Sequence, residues 1–351
     1  MKSFRACIVL FVFVGLLFAA SDAKFDPLPA PNSGSAITSL KIGSHVLVFS
    51  LMGMGASKTW DAVSNSAYVL NASYGKWSEV RSIPGSSGRL GAAAVGLREQ
   101  IFVLGGYLLD SQGGEATVPN IEVYSPLAKR WYRGPDLPKP VSKFVAGVYR
   151  DRYIYVIGGR SKTDIVRDVQ VYDTEKQEWL QATPLAGAPV FGHAGALVGD
   201  TIIYVDGAQQ GAAADQARYI VSDECWMGKI QHHDPSKIEW SKLSSHPGTA
   251  RYGIAAGGAE KDQKIYFAGG SANPYDPKGI GFDGKPAEPS PTTFAFDLRA
   301  NKWETVSEAT PDPSLDSGLV VTSDKLMIIG GMQKNQQVTA RVAELPKAKG
   351  K

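Results

Sequence analysis

RYIYVIGG (152–159), a short polar loop, and DVQVYDTEKQEWLQATPL (168–185) decide how the chain is read. An apolar run, Ile154 to Ile157, ends in the pair Gly158-Gly159. Tyr172 follows thirteen residues after the second glycine, and Trp179 seven residues after that. The stretch before it, Phe144 to Tyr149, is another apolar run. Each run is short and bounded by turn residues, so the segment predicts four strands.

The pattern recurs. IFVLGG (101–106) leads to Tyr124 and Trp131, and IYFAGG (265–270) leads to Phe296 and Trp303, each pair again seven apart. A weaker copy, IIYVDG (202–207), leads to His233 and Trp240. LMIIGG (326–331) opens a copy with no tryptophan after it. In the first copy Leu70 precedes Trp77, and the glycine pair is lost near Ser50-Leu51. The tryptophans at 77, 131, 179, 240 and 303 lie 54, 48, 61 and 63 residues apart. A repeat of about 50 residues with four strands per copy predicts an all-β, six-bladed β-propeller. Its middle strands are covered on both faces and therefore read as continuous apolar runs.

The glycine pair, the aromatic and the spaced tryptophan make the chain resemble the kelch-repeat superfamily. The likeness spans 24–346 and implies the fold, not one activity. Blades are expected at 33–84, 86–138, 141–186, 188–247 and 249–311. A sixth is expected at 314–346 completed by 24–31, where KFDPLP takes the place of an outer strand beside Val338 to Leu345. This N-terminal strand would close the ring and cover an exposed edge.

Residues 1–23 carry Lys2 and Arg5, an apolar run from Ala6 to Ala20, and the small residues Ser21 to Ala23. They predict a cleavable secretory signal, too short to span a membrane, and hence a secreted or periplasmic protein. Losing Lys2, Arg5 and Asp22 takes the net charge from +3 to +2. Residues 347–351 form a short basic tail. This balance favours no nucleic-acid partner. Cys7 leaves with the signal and Cys225 stands alone, so no internal disulfide is expected. Asn71-Ala72-Ser73 is a glycosylation sequon if the chain passes through a eukaryotic secretory route.

The kelch resemblance implies a ligand site on one face of the ring, built by loops leading into the inner strands and by loops after the glycine pair. Candidate binding residues are Trp60, Arg89, Lys143, Arg160, Arg251, Tyr252, Asn273 and Tyr275, with Tyr107, His193 and Asp316 in the same loops. Aromatic rings, arginines and amides together suit a sugar or another small polar or anionic ligand. Long insertions follow the glycine in blades four and five, and both are expected beside the mouth.

The five histidines have no zinc-type spacing, and neither a phosphate loop nor a nucleophile elbow is present. No metal or cofactor is therefore expected. His232 and His233 are read as neighbours on a strand, with His233 packed in the aromatic slot. A copper site of the galactose oxidase kind needs paired histidines around its cysteine, and Cys225 has none in sequence. PLPAPNSGSA (27–36) and KWSEVRSIPGSSGRLGAAAVG (76–96) resemble the exported sialic acid mutarotases. That resemblance implies a cofactor-free isomerase with a catalytic Glu in an Asn-Gly-Glu motif. This chain reads Asp206-Gly207-Ala208 there, which leaves Asp206, Glu224 and His193 as catalytic candidates. Three expectations follow: a monomeric ligand-binding propeller, a mutarotase-like enzyme, or an extracellular scaffold for protein partners.

Overall fold

In the computed structural model residues 25–211 and 217–347 are described. The signal proposed at 1–23 and all but the first residue of the basic tail lie outside them. Blade three shows the repeat in full. Val145–Tyr149, Tyr153–Ile157, Val169–Asp173 and Glu178–Ala182 pair in order as one antiparallel sheet. Tyr155, Ile157, Val169 and Val171 are fully buried, as strands covered on both faces must be.

Six inner strands line the axis: Ala36–Ile42, Ala93–Leu97, Val145–Tyr149, Ala194–Val198, Ala255–Ala259 and Gly318–Val321. Each touches the next, and the sixth touches the first, so the ring is closed. The channel between them holds about 420 Å³. Small residues such as Gly96, Gly147 and Gly257 let the strands approach there.

The spaced aromatic and tryptophan are cross-strand partners. Tyr124 faces Trp131, Tyr172 faces Trp179 and Phe296 faces Trp303, with ring centroids 4.7 to 5.2 Å apart. The indoles also join blades: Trp131 Nε1 donates to Arg81 O at 2.7 Å and Trp303 Nε1 to Ser244 O at 2.8 Å.

The sixth sheet has three regular strands, Gly318–Val321, Lys325–Ile329 and Val342–Pro346. Residues 25–32 lie in the fourth place. Leu28 N–H donates to Ala340 O at 2.7 Å and Asn32 N–H to Thr339 O at 3.1 Å. Trp77 Nε1 of blade one donates to Asp26 O at 3.0 Å, as other tryptophans do to a preceding blade's outer strand. Phe25 and Leu28 are buried among Val320, Met327 and Ile329 of blade six and Val48 and Leu70 of blade one. Pro27, Pro29 and Pro31 carry no N–H, which explains why the segment is not a continuous strand.

Two features of the repeat differ from the sequence reading. In blade one the glycine pair is replaced by Met52-Gly53, both at positive φ, rather than near Ser50-Leu51. In blade four Cys225–Gln231 and Asp234–Lys242 form a lengthened hairpin with a bulge. His232 and His233 lie in its turn, exposed, not packed on a strand. Gly228 faces Trp240 instead, and the indole fills the slot: a Cβ on Gly228 would lie 2.5 Å from it. The longer hairpin moved the partner outside the seven-residue rule.

Candidate ligand-binding site

The loop leading into each inner strand places one residue on the rim of the channel. In blade order these are Gly34, Gly91, Lys143, Gly192, Gly253 and Asp316, all with φ between 47° and 67°. Backbone bonds link them around the axis. Gly34 N–H donates to Asp316 O at 2.9 Å, Lys143 to Gly91 O at 2.7 Å, Gly192 to Lys143 O at 2.7 Å and Gly253 to Gly192 O at 2.9 Å. Glycine holds this left-handed conformation without strain, and a side chain at that φ costs about 1–2 kcal/mol. Four positions obey that rule. The two that do not, Lys143 and Asp316, sit in blades three and six, opposite each other across the ring.

All six rim residues line a cavity of about 160 Å³ above the channel, together with Tyr107 and Tyr252. Lys143 Nζ donates to Tyr252 Oη and lies 4.9 Å from the centre of that ring. Tyr275 packs edge-on against Tyr252 at 5.0 Å, and its hydroxyl shares the space over Gly253 with the Asp316 carboxylate. Burial pushes the Tyr252 hydroxyl up to about 12 against the pull of Lys143, and pushes Tyr107 higher still. Burial works against the Lys143 ammonium, but the oxygens of Tyr252, Tyr107 and Asp316 outweigh it and its proton is held firmly. Burial also raises Asp316 above the usual carboxylate range, with Lys143 and Tyr275 opposing. The throat thus presents an ammonium, a carboxyl shifted above its usual range and phenols shifted above theirs.

Above it opens a vestibule of about 500 Å³. Trp60 and Lys58 of blade one, Glu115 of blade two, Arg160 of blade three, Arg218 of blade four and Asp276 to Lys278 of blade five line it. Pro277 borders both throat and vestibule, so the blade-five insertion overhangs the axis. Lys58 Nζ ties the roof together, donating to Gln336 O at 3.0 Å and Lys278 O at 3.4 Å.

Kelch-motif models match residues 88–138 and 143–186. Kelch-like protein 15 of Danio rerio is 23% identical over 260 residues, covering 67% of this chain and 37% of its own. The Kelch-like protein terF of Aspergillus terreus is 30% identical over 255 residues, covering 68% and 50%. The chain thus spans half or less of the length of these relatives. The solved structure of YjhT superposes with a TM-score of 0.72 at 16% identity, covering 93% of this chain and 98% of that one. The chain is a kelch β-propeller.

Within this kelch ring the candidates separate. Lys143, Tyr252 and Tyr275 meet at the throat with Tyr107 and Asp316, and Arg160 and Trp60 belong to the vestibule. Arg160 is held there by Glu115 and lies 5.6 Å from the Phe191 ring. Arg89 and Arg251 do not reach the mouth. They stand two residues before the rim glycines, and their side chains turn into the wall, onto groups of their own blades. Arg89 Nη2 meets Glu122 Oε2 at 2.5 Å, both buried. Arg251 Nη1 donates to Gly269 O at 2.7 Å and Thr292 O at 3.0 Å. Asn273 braces the blade-five insertion through Asp283 at 2.8 Å.

Glu224 is likewise absent from the mouth. Its carboxylate accepts from Ala188 N–H at 3.0 Å and Trp226 Nε1 at 3.2 Å and pairs with Lys242 at 2.8 Å, a brace inside blade four. Asp206 is buried and accepts from the Arg251 backbone N–H at 2.8 Å, joining blades four and five. Asn71 is part-exposed at the end of Val63–Asn71, its Oδ1 accepting from Ser73 N–H at 2.9 Å.

His193 borders the throat, but its ring packs beneath it against Gly158 and edge-on to Tyr204 at 5.7 Å. Phe144 holds the matching place in blade three. Burial lowers the His193 imidazole to about 4, so it is neutral at pH 7. Its folded value lies below the unfolded one of about 6.5, so the unfolded chain takes up the proton first. The stability it contributes is full above about pH 6.5 and falls as pH drops toward 4. His193→Phe is expected to flatten this limb in urea melts taken across that window. An unchanged pH profile would show that another group causes it.

Proposed function

We propose that the mouth binds a small polar ligand carrying an anionic group, of the sugar-acid kind. The observation that carries this reading is the departure from glycine at two of six rim positions, where strain is kept in order to present a lysine and an aspartate. Lys143 meets the anionic group, while Asp316, Tyr107 and Tyr252 hydrogen-bond hydroxyls. Trp60 and Arg160 close on the ligand from the vestibule. Throat and vestibule together reach the usual size of a small-molecule site. The leader at 1–23 supports reading this as an exported binding protein. Calorimetric titration with a hexuronate and with the matching neutral hexose tests it. Tighter binding of the acid, lost in Lys143→Ala, is expected. Equal binding of both sugars would remove the role given to Lys143.

A second reading is favoured by the Asp316 carboxyl, whose raised pKa suits acid–base work at the floor of a mouth. It would open and reclose a sugar hemiacetal or hemiketal as an isomerase does, in place of the blade-four carboxylate that this sequence lacks. Magnetisation exchange between anomers separates the two readings. Exchange in the parent protein, lost in Asp316→Asn while binding persists, supports the isomerase.

A further inference from the structure

Blade four departs from blades two, three and six at three positions that touch; blade five departs in its own way, with Thr293 and Thr310 bonded through their hydroxyls at 2.6 Å. In blades two, three and six the first glycine of the pair packs beneath a leucine of the outer segment. A Cβ on Gly105, Gly158 or Gly330 would lie 2.9 to 3.3 Å from Leu137, Leu185 or Leu28. Backbone bonds fix the third position. Gly105 N–H donates to Asn120 O, Gly158 to Asp168 O and Gly330 to Arg341 O, which places Ile121, Val169 and Val342 next in line. In blade four Asp206 N–H donates to Glu224 O in the same way, so the third residue is Cys225. His246-Pro247 stands where Leu137-Pro138 stands in blade two. An apolar trio has become Asp206, Cys225 and His246.

Their ligand atoms lie within 4.8 Å of one another, and all three residues are buried. His246 Nε2 is 2.8 Å from Asp206 Oδ2. His246 Nδ1 is 2.8 Å from its neighbour's carbonyl, Pro247 O, and donates to it. With Nδ1 donating there, a proton lies between Nε2 and Asp206 Oδ2, and an ion would take that proton's place on the Nε2 lone pair, while Pro247 O acts as the outer partner of a metal-bound histidine does. The ring is fixed further by stacking on Phe294 at 4.1 Å and 8°. Asp206 Oδ1 is buried with no hydrogen-bond partner. Such an orphaned oxygen is costly unless something binds it.

We propose that Asp206, Cys225 and His246 form a structural site for a borderline-soft divalent transition ion, Zn²⁺ being the type. Ligand atoms at three corners of a zinc tetrahedron stand roughly 3.3 to 3.5 Å apart, given Zn–N near 2.0 Å and Zn–S near 2.3 Å. To reach that geometry His246 Nε2 and Asp206 Oδ2 must part by about 0.5 Å, and any pair near the 4.8 Å limit must draw together. Cys225 gives up its thiol proton on binding, and the thiolate and carboxylate balance the ion's charge. Arg251 is the nearest competing cation. Its backbone N–H holds Asp206 and its Nη1 donates to Gly269 O and Thr292 O, while Nε and Nη2 are buried without a hydrogen-bond partner. The ion would pin the outer segment of blade four, whose His246 stacks on Phe294 of blade five, to blade four's own inner strands, in the place that leucine fills in blades two, three and six.

Cobalt replacement tests this. The purified protein is stripped with a chelator, dialysed and titrated with Co²⁺, and the thiolate-to-cobalt charge-transfer band is followed. The band is expected to saturate at about one ion per chain, and Zn²⁺ is expected to displace it and raise the melting midpoint. Two variants are read alongside. Cys225→Ser is expected to lose the band and at least tenfold in affinity. Asp206→Gly/Cys225→Val/His246→Leu copies the blade-three trio; it is expected to fold, take up no ion and show no zinc-dependent shift. Should the triple variant fail to fold, Cys225→Ser alone carries the comparison. No thiolate band in the parent protein would overturn the site. So would uptake that Cys225→Ser leaves unchanged, the mark of a surface pair such as His232 and His233.

Discussion

Removing residues 25–31 is expected to lower the melting midpoint by about ten degrees or more. Phe25 and Leu28 are buried at the seam between blades six and one. Truncating a buried phenylalanine costs roughly 3–5 kcal/mol and a buried leucine roughly 2–5. The deletion also uncovers the edge strand Val342–Pro346, leaves Ala340 O and Glu344 Oε1 without the N–H groups of Leu28 and Phe25, and leaves Trp77 Nε1 without Asp26 O. An open sheet edge of that kind recruits other chains, so concentration-dependent aggregation should accompany the loss. Phe25→Ala/Leu28→Ala gives the same test without shortening the chain. A midpoint within a degree or two of the parent's would mean that the ring closes without this segment.

The second large effect concerns Lys143. Lys143→Gly is expected to abolish binding of an acidic ligand and yet to be more stable than Lys143→Ala. Both variants lose the ammonium and its bond to Tyr252. Only glycine relieves the left-handed backbone at φ 53°, a difference of about 1 kcal/mol. Melting midpoints should then differ by roughly 2–4 °C. Alanine equal to or more stable than glycine would show that the position is unstrained, and the argument from strain would fail with it.

Most of the ring could be read from residue spacing, because the constraint is local. A tryptophan opposite an aromatic, after a glycine pair, repeats whenever the hairpin length is kept. Blade four broke the rule where its hairpin lengthened, and His233 was thereby assigned a slot that Gly228 and Trp240 occupy. The mouth was legible in part. Lys143, Tyr252 and Tyr275 were found by their loops, and the same reasoning selected Arg89 and Arg251. Position in a loop does not say which way a side chain turns, and two residues' difference along the loop points it into the wall. The significance of Lys143 and Asp316 emerges only when the six rim positions are compared as a set. Asp206, Cys225 and His246 are 19 and 21 residues apart, far from any metal-type spacing. Their signal was visible only in register with blades two, three and six, as three departures from one apolar pattern.

The ring's rim, with a lysine and an aspartate where glycine belongs, is the centre of this account. Thermal shift of the parent protein and of Lys143→Gly, against a hexuronate, a sialic acid and a neutral hexose, tests it most directly. A ligand present at about 100 times its Kd adds roughly 2.7 kcal/mol, a shift easily read. At least one acidic sugar is expected to raise the parent's midpoint, and none is expected to raise the variant's. No shift in the parent with any acid, or the same shift in both proteins, would contradict it.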